Sequence, residues 1–267
     1  MLEGVIITSA VLGVLGCVIA LILNFAGDKF YVSINEKTEK IIEVLPGNNC
    51  GGCGYAGCSA LAEAISNGTA APNACPVGGS ELAKEIAKIT GKKAVDTKRM
   101  VAFVHCGGDC VKSVRKGDYS GSSSCISAKA VQGNGGKACL SGCMGYGTCV
   151  DVCEFGALSI KNGISVVDKE KCRACGKCIK VCPNSLISFV PYDAAVTVKC
   201  SSQERGAVVK SQCSVGCLGC TLCTKQCPVN AIQMNGNVAR IDYSLCTSCG
   251  ACAEKCPSKC IIVNTVQ

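Results

Sequence analysis

Hydrophobic and polar residues are patterned in two ways along this chain. Residues 5–26 carry no charge and include 13 Val, Ile, Leu or Phe side chains. A run of that length spans a bilayer as a helix, and its insertion gains about 6 kcal/mol before the polar residues are counted. Glu3 precedes it, while Lys29, Lys37 and Lys40 follow. By the positive-inside rule this predicts a single-pass helix in the cell (inner) membrane, with the C-terminal domains in the cytoplasm. Ser9, Gly13 and Cys17 recur every four residues, as do Gly16, Ala20 and Asn24. Small residues at that spacing let helices approach closely, so the run is either a docking face or a lone anchor; Cys17 is a packing residue in both cases. The second pattern is alternation. Residues 157–167 alternate around Asn162-Gly163 and residues 231–241 around Asn235-Gly236, which predicts two β-hairpins. Residues 59–67 predict a short helix.

Cysteine changes the picture. The chain has 267 residues, 27 of them Cys and 31 Gly, with one His and no Trp. That much cysteine suits a secreted disulfide scaffold or a metal protein, and the length disfavours the scaffold. A lone histidine excludes His-rich metal chemistry, and six Tyr with five Phe make a base-stacking nucleic-acid module a poor fit, so no nucleic-acid partner is expected. Cytoplasmic thiols stay reduced unless they hold metal, which makes 26 cysteines candidate ligands. Net charge is +8, spread without a like-charge block; it serves solubility or an acidic protein partner.

The chain repeats itself. Cys139, Cys143, Cys149, Cys153, Cys172, Cys175, Cys178 and Cys182 each have a partner 74 residues on: Cys213, Cys217, Cys223, Cys227, Cys246, Cys249, Cys252 and Cys256. Three runs read C-x2-C-x2-C-x3-C-P, beginning at Cys172, Cys217 and Cys246, which is the bacterial ferredoxin run. In two-cluster ferredoxins the fourth cysteine crosses to the other cluster. That resemblance implies one cluster on Cys217, Cys220, Cys223 and Cys256, and another on Cys246, Cys249, Cys252 and Cys227. The first repeat departs from the run, because Tyr146 stands where Cys220 does and Glu154 replaces the proline. Here Cys139, Cys143, Cys149 and Cys182 are assigned to one cluster, and Cys172, Cys175, Cys178 and Cys153 to the other. Upstream, Cys50, Cys53, Cys58 and Cys75 form a further four-thiol set in a glycine-rich segment, which fits iron or zinc. These sets use 20 cysteines. Cys106, Cys110, Cys125 and Cys200 are the candidates for a sixth cluster, against free buried cysteines; His105 is a ligand or a packed histidine. There is no dinucleotide fingerprint, P-loop or nucleophile elbow, so no catalytic residue is expected in this chain.

In this order, the apolar run, the Cys50/Cys53/Cys58/Cys75 segment and the two repeats resemble the subunit designated B in the Rnf complexes, the ion-translocating ferredoxin:NAD oxidoreductases of bacterial membranes, in its longer form. The resemblance implies an α+β chain with a single N-terminal transmembrane helix (1–27), a small 4Fe-4S domain (33–92), a connecting segment (93–135), and two tandem bacterial-ferredoxin-like 2[4Fe-4S] modules (136–194 and 195–267). It implies at least five [4Fe-4S] clusters, electron transfer from soluble ferredoxin to the other membrane subunits of the complex, NAD reduction in those partners and coupled Na+ or H+ translocation. The rivals are a polyferredoxin of another membrane oxidoreductase and a zinc-stabilised membrane adaptor.

Overall fold

The computed structural model describes residues 2–29, 35–93, 98–131 and 133–263. Helix α1 spans Leu2–Lys29. Among the described residues, no helix is long and apolar enough to cross a membrane. The expected single N-terminal transmembrane helix is therefore corrected: α1 is an N-terminal helix with exposed Val11, Leu12 and Leu15.

Three helices follow: α2 (Glu36–Val44), α3 (Cys58–Ser66) and α4 (Gly79–Thr90). Asn35 caps α2 by accepting the Lys37 N–H at 3.1 Å, and Gly91 ends α4 in the left-handed conformation, φ 70°. The apolar faces meet on Ile41, Leu61, Ile65 and Ile86, all fully buried. This lobe has an aliphatic core of its own.

Among the described residues, the rest of the chain carries four two-stranded antiparallel sheets. Strand β1 (Met100–Val104) lies in the segment expected to be a connector, yet it pairs with β4 (Ile187–Pro191) at the end of the first repeat. Between them, β2 (Leu158–Lys161) and β3 (Ile164–Val167) form the hairpin expected from Asn162-Gly163. Both turn residues have positive φ, 48° and 72°, the requirement of a type I′ turn. Three short helices, α5 (Cys125–Ala130), α6 (Thr148–Asp151) and α7 (Lys177–Val181), complete this unit.

The second repeat has the same plan. Strand β5 (Val196–Val198) pairs with β8 (Ile261–Val263), enclosing the hairpin of β6 (Ile232–Asn235) and β7 (Val238–Ile241). Its turn sits one residue later than expected, at Gly236-Asn237, because Asn235 ends β6 and Gly236 alone takes positive φ, 59°. Helices α8 (Gly206–Gln212), α9 (Leu222–Gln226) and α10 (Ala251–Glu254) lie among the loops. The repeats are joined by backbone: Gly107 N–H donates to Lys199 O at 2.9 Å, and Ser214 N–H to Lys112 O at 2.9 Å.

Candidate metal centres

One backbone shape recurs in the three C-x2-C-x2-C loops. In 172–178 the residues flanking Cys175, Ala174 and Gly176, have φ 52° and 80°; around Cys220 they are Gly219 and Thr221, 67° and 58°; around Cys249, Ser248 and Gly250, 59° and 80°. Two left-handed residues around the middle cysteine curl the loop so that three thiols face one side. A non-glycine residue tolerates this at a cost of about 1 kcal/mol or more. A second signature follows the fourth cysteine. Gly156, Ser185, Asn230 and Lys259 lie three residues beyond it, all with φ between 49° and 57°. The next N–H then donates back to sulfur: Ala157 to Cys153 at 3.3 Å, Leu186 to Cys182 at 3.4 Å and Ala231 to Cys227 at 3.3 Å. Such N–H groups stabilise negative charge on sulfur.

Cys50, Cys53, Cys58 and Cys75 line a space of about 300 Å³ together with Pro46, Leu61 and Pro76. Asn49 Oδ1 accepts the Cys58 N–H at 2.8 Å and holds the start of α3 against the loop. Burial pushes the Cys75 thiol up, opposed by the Gly78 and Val77 N–H groups. Cys217, Cys220, Cys223 and Cys256 line a second space of about 320 Å³ among Leu218, Leu222 and Ile261. The Cys178 thiol is pushed up to about 12 by burial, then by crowding from Cys172, Cys175, Cys149 and Cys153. Cys252 is pushed up to about 11 by burial and by Cys246, with Cys223 and Cys249 also near; Cys227 packs against the same core.

The structure regroups the first repeat. Tyr146 occupies the middle-cysteine position with the standard loop shape, Gly145 and Gly147 at φ 81° and 84°. Its hydroxyl donates to Gly135 O at 3.0 Å instead of facing the thiols. The fourth thiol comes from α5: Cys125, Cys143, Cys149 and Cys182 line a space of about 360 Å³. Ser124 caps α5, and the Cys125 N–H donates to Thr148 Oγ1 at 2.8 Å, which ties α5 to the loop.

Cys139, expected in that set, lies elsewhere. It joins Cys106, Cys200 and Cys213 around about 390 Å³ of space between the two repeats. Of the candidates for a sixth cluster, Cys106 and Cys200 are thus brought together, Cys125 serves the neighbouring group, and Cys110 is exposed and belongs to neither. His105 is a packed histidine: Nδ1 donates to Val198 O at 2.8 Å and Nε2 accepts from Ser188 Oγ at 2.7 Å. Burial holds its pKa below the usual imidazole value.

Among the described residues no group of three or more His, Cys, Asp or Glu side chains is gathered about a point that one metal ion would fill. The thiols instead gather in fours around shared spaces, with backbone N–H groups aimed at their sulfurs. That donor set fits a multinuclear iron–sulfur unit, which thiolates in fours hold.

Comparison with known proteins supports this chemistry. A family model described as a putative Fe-S cluster matches residues 45–77, and a 4Fe-4S dicluster domain model matches 171–231 and 216–260. In Acetobacterium woodii, the subunit designated B of the Na(+)-translocating ferredoxin:NAD(+) oxidoreductase complex is 40% identical over 98% of this chain and 78% of its own. Its counterpart in the ion-translocating oxidoreductase complex of Methanosarcina acetivorans is 42% identical over 97% and 99%. The counterpart in the proton-translocating ferredoxin:NAD(+) oxidoreductase complex of Clostridium ljungdahlii is 41% identical over 92% and 87%.

Proposed function

The chain belongs to the family of subunits designated B in the ion-translocating ferredoxin:NAD(+) oxidoreductase (Rnf) complexes, and we propose that within such a membrane-associated complex it carries electrons through six [4Fe-4S] sites arranged in single file. It is an electron-transfer subunit with 4Fe-4S domains. Each cluster, when bound, supplies a one-electron valence change.

The observation that carries the reading is how the thiol groups neighbour one another. Gly52, inside the Cys50/Cys53 loop, touches the Cys175 loop so closely that a Cβ would stand 2.7 Å from Cys175 O. Cys178 of that group neighbours Cys149 of the Cys125 group. The Cys143 N–H of the Cys125 group donates to Cys106 Sγ at 3.3 Å, reaching the group between the repeats. Cys200 there receives the Cys217 N–H, and Cys223 neighbours Cys252. The order is therefore Cys50/Cys53/Cys58/Cys75, then Cys153/Cys172/Cys175/Cys178, Cys125/Cys143/Cys149/Cys182, Cys106/Cys139/Cys200/Cys213, Cys217/Cys220/Cys223/Cys256 and Cys227/Cys246/Cys249/Cys252.

In this reading soluble ferredoxin is the donor and approaches the ferredoxin-like units, favoured by the net charge of +8. The Cys50 lobe hands electrons on to partner subunits of the complex. The cluster-bearing domains face the cytoplasm, where free thiols stay reduced.

Anaerobic reconstitution of the full chain with iron and sulfide tests it. About 24 irons per chain are expected for six units, all reducible by reduced ferredoxin. Cys53→Ala should leave the other five reducible while stopping transfer to the partner subunits. Zinc in place of iron, or loss of reduction at every site in Cys53→Ala, would overturn the reading.

A further inference from the structure

Lys137 lies buried between two of the thiol groups, 7% exposed. Its Nζ donates to Gly108 O at 2.5 Å and to Cys143 O at 2.7 Å. No ion pair among the described residues includes it, and no carboxylate lines the space enclosed by Cys106, Cys139, Cys200 and Cys213, which Lys137 borders. A buried ammonium with carbonyl partners alone is expensive to hold unless opposite charge stands nearby. The opposite charge available here is thiolate, because Cys139 and Cys213 line the same space as Lys137, and its Nζ stands against the backbone of Cys143 of the next group.

The rest of this lining is polar as well. Lys199 borders it from the second repeat, Ser113 and Ser202 are buried along it, and Gln212 Oε1 is buried there with no hydrogen-bond partner. The spaces of the Cys125, Cys217 and Cys50 groups are lined without a single Lys, Arg, Asp or Glu; Val104, Met144 and Leu186 face the first, Leu222 and Ile261 the second, and Leu61 and Val77 the third. One-electron reduction adds one negative charge to a site that four thiolates already make anionic. A fixed cation in a low-dielectric interior favours the reduced form over the oxidised form, and net charge and hydrogen bonds to sulfur are the levers on cluster potential.

We propose that the Cys106/Cys139/Cys200/Cys213 site is the highest-potential station of the file, with Lys137 as its buried counter-charge and Lys199 a second, weaker one. The inference rests on reading that site as a cluster site. The electron arrives from the neighbouring cluster of the file, no bond to a protein atom is made or broken, and Lys137 keeps its proton. An electron then pauses between the two repeats, so the second repeat can accept again before the first has passed its electron on. Lys137 is a positioning residue for charge and touches no substrate.

The experiment is a redox titration, followed by paramagnetic resonance, of the reconstituted full chain. Cys213→Ala identifies the station: about four irons should be lost, together with the signal that reduces first. Lys137→Gln should keep its iron and move that signal to lower potential further than any other, by about tenfold in the reduction equilibrium, or 59 mV for one electron. Lys137→Arg should restore it. Lys199→Gln, at a half-exposed position, should shift the same signal by less in the same direction, which keeps the test decisive if Lys137→Gln fails to assemble. Full iron with an unmoved signal in both lysine variants would overturn the inference, as would survival of the first-reducing signal in Cys213→Ala. If Cys213→Ala loses no iron, the cluster reading of this site fails instead.

Discussion

The Sγ atoms of Cys256 and Cys260 lie 3.6 Å apart, and the Cys260 thiol also reaches Cys217. Cys260 therefore lies within hydrogen-bond reach of two sulfurs of one group, and that contact holds the Cys217 and Cys256 thiols below the ordinary value. The position is distinctive. Four residues beyond the last cysteine, the other three loops carry Ala157, Leu186 and Ala231.

This adjacency predicts a spare ligand. In Cys256→Ala, Cys260 is close enough to take the vacant place, so the reconstituted chain should keep its full iron with an altered resonance spectrum. The double variant Cys256→Ala/Cys260→Ala should lose about four irons. Cys182→Ala is the control, because Leu186 has no sulfur to offer and about four irons should go with the single change. Iron analysis decides; equal losses in Cys256→Ala and Cys182→Ala would refute the substitution.

Tyr146 and Cys125 exchange roles across the duplication. The loop around Tyr146 has the same left-handed pair as the loops around Cys175, Cys220 and Cys249, so a thiol placed there should point inward. Cys125→Ala is expected to remove about four irons, and adding Tyr146→Cys should return them. The rescued chain should be less stable by about 1–3 kcal/mol, since the Tyr146 hydrogen bond to Gly135 and its edge contact with Tyr119 are lost. Denaturant titration measures the cost and iron analysis the rescue. Cys110→Ala, outside every group, should change neither.

The fate of Tyr146 shows what was legible in the chain and what was not. Loops, hairpins and the 74-residue repeat are local facts, written in spacing and in Asn162-Gly163, and the structure carries them. Where two elements far apart in sequence meet, spacing was silent. Strand β1 reaches β4 across more than eighty residues, which drew a presumed connector into the first repeat. Cys139 and Cys213 are equivalent by duplication, so symmetry suggested separate sites; packing of one repeat on the other faces both into one space. Cys200 is left for that space because Cys220 already fills the place that Cys125 must fill in the first repeat. The apolar N-terminal run was legible as a helix, and its reading as a membrane span was not sustained among the described residues.

Gly52 sets the junction between the Cys50 lobe and the first repeat. Its φ is ordinary, so alanine brings no backbone strain; the obstacle is the Cys175 backbone, with its O at 2.7 Å and its C and Cα at 3.2 Å from an added Cβ. Gly52→Ala should push the two apart at a cost of about 1–3 kcal/mol in docking and leave the iron content unchanged. Electron transfer from the repeats into the lobe should slow, while reduction of the other five sites by ferredoxin keeps its rate. Stopped-flow absorbance reads both phases, and an unchanged slow phase would mean that the lobe does not receive electrons through Cys175.

Removing the metal should divide the molecule in two. The cores of the repeats contain ligand thiols as structural material: Cys143, Cys149, Cys172 and Cys178 are buried among Leu158, Leu186 and Val190, and Cys217, Cys223 and Cys252 among Val196, Val238 and Ile261. Stripped of iron, these positions become a cavity ringed by thiols with nothing to bind, and binding energy that was folding energy is lost. The lobe of α2, α3 and α4 differs, because Ile41, Leu61, Ile65, Leu82 and Ile86 form a buried core without cysteine, and Cys53, Cys58 and Cys75 pack only against its edge. Chelation under reducing conditions should therefore abolish amide-exchange protection in the β-hairpins 158–167 and 232–241 and preserve it in α4 and most of α3. Exchange measured on the chelated chain checks this. Protection lost equally in α4 would show that the lobe, too, depends on its cluster to stay folded.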